Sequence, residues 1–392
     1  MGMMHTEVMA NNSEVIELSN ELPPIPEKSV AGWKEVPVDE GDTRFSERLV
    51  PVGAFSEFDD CDTSAVYFGE RGKRSEEINF LGQPVNREAS LITHFVREGV
   101  LERIKVAQRS LPKGYYFGFY DNFRPLDVQQ ALYDAQKEKF REEHPEWDAE
   151  QLEIETQKFV SIPAPNEKTG TKHPSPHSTG AVVDLTLIRM SQEGESALQV
   201  LKMKKMGGGL DYPVSDEEQG QMQIVFDWIE KQEWSADKKD IVRKHWLREY
   251  RYARDKAKLF KQNSKPLNMG TRFDEFTDAA GTTFYEKEAL KRELTPEEQE
   301  VLRNRRFLYR VMTKAGFENY GDEWWHYSYG DNMWAKLSGS DRAFYGGFAE
   351  LPEYCRDIES SRRAVYEQEI TDFSTRDVEL FTGEKPFDPT AI

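Results

Sequence analysis

Apolar and polar residues alternate in short runs over the first part of the chain and settle into helical periods farther on. "GWKEVPV" (32–38) and "RLVPVGAF" (48–55) read as short strands or extended segments. In "REASLITHFVREGVLERIKVAQRSL" (87–111), Leu91, Phe95, Val100, Ile104 and Ala107 fall on one face of a helix. "KGYYFGFYDNFRP" (113–125) reads as a buried aromatic strand ending at Arg124-Pro125, followed by helices over 127–143 and 149–160. "AVVDLTLI" (181–188) is β-branched, apolar and too short for a helix, which predicts a central strand.

The pattern then changes. "SDEEQGQMQIVFDWIEKQ" opens with a capping box, Ser215 and Glu218, and continues with Met222, Val225, Phe226 and Ile229 at helical spacing. A charged helix over 236–262 carries Val242, Trp246, Tyr250, Ala253 and Ala257 on one side. The stretch 191–267 therefore reads as a helical insertion or lobe. "NMGTRFDEF" (268–276) returns to turn and strand character. "TPEEQEVLRNRRFLYRVMTKAGF" (295–317) has Thr295 as N-cap, Pro296 at the first helical position, Glu298 closing the box and Gly316 at the far end. "GDEWWHYSYGD" (321–331) reads as a strand by its aromatic content.

The expected organisation is an N-terminal arm, flexible or draped, over 1–31, a main domain over 32–392 interrupted at 191–267, and a peripheral tail over 370–392. Composition narrows the partners. With 52 basic against 71 acidic residues the formal charge is −19, which repels phosphate and disfavours nucleic acid and anionic membranes. The cysteines, Cys61 and Cys355, allow one disulfide but no framework, as suits a reducing compartment. No apolar run has membrane-spanning length, and the N-terminus lacks the form of a secretory signal. Met1-Gly2 with Thr6 matches a loose myristoylation pattern. The expectation is a cytoplasmic protein, with the oligomeric state left open.

Of the seven histidines, His5 lies in the arm, His94 and His245 on predicted helices, His144 at a helix end and His173 in a polar loop. His177 and His326 have carboxylate company. "SPHSTGAVVD" (175–184) puts His177 and Asp184 on either side of Gly180, where the chain can turn into the strand. Asp184 sits in an otherwise apolar run, so it must meet a cation, either a basic side chain or a metal. From these residues alone the two readings are equally weighted. In "EWWH", Glu323 and His326 would face opposite ways on one strand. Glu323 must lie in the turn before the strand for both to reach one site, where it could take a proton from a metal-bound water, with the tryptophans excluding solvent. Arg124, held at a strand edge, could stabilise an oxyanion; alone it reads as a surface salt bridge.

Together these segments resemble the zinc D-alanyl-D-alanine dipeptidases, related to DD-carboxypeptidases and the hedgehog-like metal fold. The pattern S-x-H-x-x-G-x-A-x-D is carried by Ser175, His177, Gly180 and Asp184, with Val182 in place of Ala; E-W-W-H is present unaltered at 323–326. "YDNFRP" is similar to the family's D-G-Y-R-P, "NMGTRFDEF" to its M-G-[ST]-x-F-D turn, and "NRRFLYRVMTKAGF" to its last helix. The resemblance implies an α+β fold, with a small central antiparallel sheet carrying the metal and helices around it. It implies zinc on His177, Asp184 and His326, with Fe2+ as the other metal such ligands admit. Glu323 would be the general base, Arg124 the group that polarises the carbonyl, and Asp274 with Ser175 the receiver of the ammonium of a small dipeptide, D-Ala-D-Ala foremost. The 191–267 stretch could then cover the substrate, change its size limit or mediate oligomers. Two other classes fit the same residues: a non-haem iron oxygenase and a non-catalytic metal-binding interaction protein.

Overall fold

The computed structural model describes residues 22–54, 56–68, 85–86, 88–163, 174–275, 277–360 and 362–363. The strands are β1 (Leu49–Val52), β2 (Cys61–Thr63), β3 (His94–Arg97), β4 (Tyr115–Asp121), β5 (Val182–Met190), β6 (Ser264–Pro266), β7 (Glu318–Asn319) and β8 (His326–Ser328). The α-helices are α1 (Glu98–Arg109), α2 (Leu126–Glu143), α3 (Ala149–Phe159), α4 (Gln192–Met206), α5 (Asp216–Gln221), α6 (Gln223–Lys231), α7 (Ala236–Asn263), α8 (Phe284–Ala289), α9 (Pro296–Lys314) and α10 (Asn332–Ser338).

The main sheet has six strands in the order β2-β4-β5-β8-β7, with β6 paired to the far end of β5; β1 and β3 form a separate antiparallel pair. The expected central antiparallel sheet is thus mixed, because β2 runs parallel to β4. Alternation along β5 sorts its side chains between two faces. Ala181, Val183, Leu185 and Leu187 join the main core with Phe117 and Phe119 of β4 and with Phe307, Leu308, Val311 and Met312 of α9. The opposite face carries Asp184 at one end and Ile188 and Met190 at the other, where they pack on Leu198 of α4 and on Leu259 and Phe260 of α7.

Several expectations change. Residues 94–97 pair with β1 as a strand, and the helix begins only at Glu98. His94 and Phe95 therefore belong to a buried strand and Leu91 precedes it; the fragment is short enough for strand alternation to pass for a helical period. Residues 33–35 form a 3-10 turn, preceded by Gly32 at φ +80°, instead of a strand. "NMGTRFDEF" contains no strand among its described residues, and β6 comes just before it. Cys61 and Cys355 are both buried and free. The described part of the arm is anchored: the Ile25 amide donates to Glu286 and Lys28 pairs with Glu318 at 2.5 Å; just after it, Asn332 Nδ2 donates to the Val36 carbonyl at 2.5 Å. His5, His173, the Met1-Gly2-Thr6 pattern and the 370–392 tail lie outside the described residues.

The two capping boxes form as read. Ser215 and Glu218 close the start of α5, and Thr295 and Glu298 close that of α9, which ends before Gly316 at φ +97°. Residues 192–263 are largely helical, and α6 and α7 build a core of their own around Met222, Phe226, Ile229 and Tyr250. No helix among the described residues is long and apolar enough to cross a membrane.

Candidate functional site

Three neighbouring strands set the floor of the site. Asp184 of β5 is directly opposite His326 of β8, so both side chains rise from the same face. On β4 the register slips: Phe119 pairs with Leu185, but Asp121 pairs with Asp184, so two steps along β4 match one along β5. The bulge at Tyr120 turns Asp121 from the core face to the face of Asp184. Sequence alternation alone would have sent Asp121 into the core with Phe117 and Phe119.

His177 arrives from above. It lies on a 3-10 turn, Pro176–Thr179, that ends at Gly180 with φ +71°. The positive φ favours glycine there, and a Cβ would also stand 2.4 Å from Leu49 Cδ2 and make that side chain shift. Buried Arg97 holds this turn by donating from Nε to the Thr179 carbonyl at 2.8 Å, and its own amide donates to the Gly180 carbonyl at 2.9 Å.

The distances are short. His177 Nε2 lies 3.3 Å from Asp184 Oδ2, and His326 Nδ1 lies 3.2 Å from Asp184 Oδ1. Ligand atoms of His177, Asp184 and His326 all fall within 4.8 Å of one another, and all three residues are buried. His177 Nδ1 is 2.8 Å from the Asn122 carbonyl oxygen, which can only accept. Nδ1 therefore carries the proton, and the neutral ring turns the Nε2 lone pair toward Asp184. Burial and the nearby Arg124 charge push the His177 pKa well below its ordinary value, which keeps the ring neutral.

The electrostatics fit a cation. Asp121, Asp184 and Asp274 are buried, and Glu323 half-buried, around the single guanidinium of Arg124. That guanidinium is already bound, through Nε to Asp121 Oδ2 at 2.8 Å, NH1 to Gln129 Oε1 at 2.9 Å and NH2 to the Tyr67 hydroxyl at 3.0 Å. It reaches Asp184 only at 4.0 Å, and Asp184 Oδ1 has no hydrogen-bond partner. A buried carboxylate with an unsatisfied oxygen between two imidazoles is costly as it stands and suits a divalent ion. Burial, then the neighbouring Asp121 charge, pushes the Asp184 pKa well up; a bound cation would reverse that shift.

Glu323 lies in the turn before β8, as required, with its Oε2 3.5 Å from His326 Nδ1. Burial raises its carboxyl to about 8, against the pull of His326 and with the help of Asp184 and Asp274. The tryptophans do not shield it. Trp325 points to the core and packs edge-on against Phe273, while Trp324 Nε1 donates to Thr271 Oγ1 at 2.9 Å. Tyr320 stands beside the site instead, its ring 5.7 Å from that of His326.

Asp274 has φ +56° and is buried; burial lifts its pKa to about 7 against Arg124 and a hydrogen bond from Tyr67. The Tyr67 hydroxyl donates to Asp274 Oδ2 at 2.8 Å and accepts from Arg124. Ser175 Oγ is buried without a partner. Tyr67, Arg124, Ser175, His177, Asp184, Asp274, Tyr320, Glu323 and His326 line one cleft of about 130 Å3, together with Trp33, Lys34, Gln129, Leu132, Phe159, Val160 and Met333. None of the lining residues comes from 192–263. That stretch packs at the Met190 end of β5, roughly 20 Å along the strand from Asp184. Of the roles the sequence left open for it, covering the cleft does not fit this placement; α2, α3 and the N-terminal segment form the walls.

Asp121 and Tyr67 are the site residues that sequence reasoning gave no role. The "YDNFRP" segment contains Asp121, but its use depends on the bulge. Tyr67 stands in no motif.

The class to which this architecture points is also found by comparison: residues 251–343 match the model of the D-Ala-D-Ala dipeptidase family, peptidase family M15. The D-alanyl-D-alanine dipeptidase of a Synechocystis species is 33% identical over 72 residues, which is 18% of this chain and 29% of that protein. The chain thus matches under a third of that relative's length. The resemblance is therefore shown over the part that contains Asp274, Glu323 and His326, and it is a resemblance to peptidases. His177, Asp184, Arg124 and Ser175 precede the matched stretch and meet it in space.

Proposed function

We propose that the protein is a zinc-dependent dipeptidase that hydrolyses a small dipeptide of the D-Ala-D-Ala type. The observation that carries this reading is the convergence of His177, Asp184 and His326 within 4.8 Å of one another, with Glu323 beside them and outside the set. When bound there, a divalent cation supplies a polarised carbonyl and a water whose pKa falls to about 7.

The side chains account for the rest. Glu323 takes a proton from the attacking water and returns it to the leaving nitrogen. Glu323, raised to about 8 by its surroundings, would be drawn toward the carboxylate form by a cation held on His177, Asp184 and His326. Arg124 has five N–H donors; Nε and Nη2 face Asp121, Nη2 also meets Tyr67 and Nη1 spends one on Gln129, which leaves one Nη1 hydrogen for the oxyanion. Asp274 and Ser175 receive the substrate ammonium, and the fixed span from Asp274 to the imidazoles measures off one residue. Glu323 beside the ligand set favours hydrolysis over the iron oxygenase reading, which has less use for a base at that place.

The test is a screen of D,D-, L,D- and L,L-dipeptides with the zinc-loaded protein, followed by N-capped forms of any substrate found. The expected result is turnover of a free D,D-dipeptide and loss of turnover on capping the amine. Turnover that needs iron and oxygen, or none with any dipeptide, would refute the reading.

A further inference from the structure

The cleft is lined by three carboxyl groups, Asp184, Asp274 and Glu323, and by one lysine or arginine besides Arg124, which is Lys34. Arg124 is engaged with Asp121, Gln129 and Tyr67. Lys34 has no carboxylate partner among the described residues; its contact is with the neighbouring Trp33 ring, 5.5 Å from Nζ. In a chain of 71 acidic residues, a half-buried lysine that lines the cleft without a carboxylate partner among the described residues is a vacant counter-charge.

Its position is fixed from both sides. Before it, Lys28 pairs with Glu318 and Gly32 makes the turn at φ +80°. After it, Val36 accepts from Asn332 Nδ2, the Ala343 amide donates to Pro37, and the Asp39 amide donates to Ala343. The 3-10 turn Trp33–Glu35 is thus pinned over the cleft, with Met333 of α10 lining the space beside it.

A free dipeptide is a zwitterion. Its ammonium end has a buried carboxyl, Asp274, to meet; its carboxylate end would otherwise lie in a space dominated by negative groups. We propose that Lys34 receives the substrate's free α-carboxylate, so that the cleft selects unblocked dipeptides over C-terminally blocked or longer ones. This rests on the dipeptidase reading above. Both ends of the substrate are then read by charge, and the N-terminal segment, far from the metal-binding motifs in sequence, sets the C-terminal limit.

The experiment compares D-Ala-D-Ala with D-Ala-D-Ala amide on the zinc-loaded full chain, for the wild type, Lys34→Met and Lys34→Glu. The expected outcome for Lys34→Met is a rise in KM for the free dipeptide of about ten- to a hundredfold, the scale of a charge-assisted hydrogen bond. kcat should be nearly unchanged, and the amide should show no matching loss. Lys34→Glu should reverse the preference toward the amide. Calorimetric binding of both peptides to Glu323→Gln, with and without Lys34→Met, should show the same selective loss without turnover. Equal losses on both peptides, or no loss on either, would overturn the role of Lys34 while leaving the dipeptidase reading intact. Wild-type protein that turns over and binds neither peptide would overturn both.

Discussion

Asp121 Oδ2 lies 3.1 Å from His177 Nδ1, the nitrogen that also faces the Asn122 carbonyl. The carboxylate stands there only because the bulge at Tyr120 turns it onto the sheet face of Asp184. A partner of this kind fixes the ring and raises the basicity of the opposite nitrogen. Asp121→Asn keeps the size and removes the charge. It should weaken zinc affinity by about ten- to a hundredfold, read by competition against a chelator, with little change in fold. Unaltered affinity would mean that the Asn122 carbonyl alone orients His177.

Glu323 is beside the ligand set and not part of it, which separates binding from chemistry. Glu323→Gln should keep the metal and the fold and lose at least about a hundredfold in kcat, the usual scale for a general base. Metal analysis with steady-state kinetics checks both halves. Loss of metal would move Glu323 into the ligand set.

Tyr67 joins the residue proposed to polarise the carbonyl to the one proposed to hold the ammonium, at 3.0 Å from Arg124 and 2.8 Å from Asp274. Tyr67→Phe keeps the ring under the guanidinium, 4.7 Å away, and deletes the bridge. Asp274 then loses a hydrogen bond to a charged group, worth roughly 1.5–3 kcal/mol. KM for the dipeptide should rise by about tenfold or more with zinc content unchanged. An unchanged KM would show that Asp274 is held by its backbone alone.

How far the site could be read from sequence follows from what each residue depends on. His177, Gly180 and Asp184 lie within eight positions, so a turn into a strand could be inferred locally and does form. The turn position of Glu323 followed from strand parity. The bulge that brings in Asp121 depends on pairing between β4 and β5, which are some sixty residues apart, and no local pattern records it. Tyr67 meets its partners only through tertiary packing. The four-residue β3 reads as part of a helix in the sequence because Phe95 happens to fit the period of α1. The lobe's helices and caps were legible, since caps are local, but its place at the far end of β5 was not. Which of the two faces at Met190 receives α4 and α7 is decided by packing alone.

That placement leads to a last prediction. Within 192–263, Arg251 is nearly inaccessible and pairs with Glu218, its Nε 2.8 Å from Oε1 and its NH2 2.6 Å from Oε2. It also donates to the carbonyls of Leu210 and Tyr212. Hydrogen bonding from Arg251 lowers the Glu218 pKa against the cost of burial. A depressed carboxyl contributes stability that is fully present above its unfolded value of about 4.3 and is lost as pH falls through that value and below. Glu218→Ala leaves a buried guanidinium unpaired, at a cost of roughly 3–5 kcal/mol. Because no lining residue of the cleft comes from this stretch, the loss should appear as faster amide exchange over residues 210–260 and a lower Tm at neutral pH. The difference from wild type should shrink below about pH 4. Zinc content and dipeptide kcat/KM at 25 °C should stay within about twofold, as expected for a change remote from the site. A parallel fall in kcat/KM would show that the helices at the Met190 end of β5 are energetically coupled to Asp184 at the other.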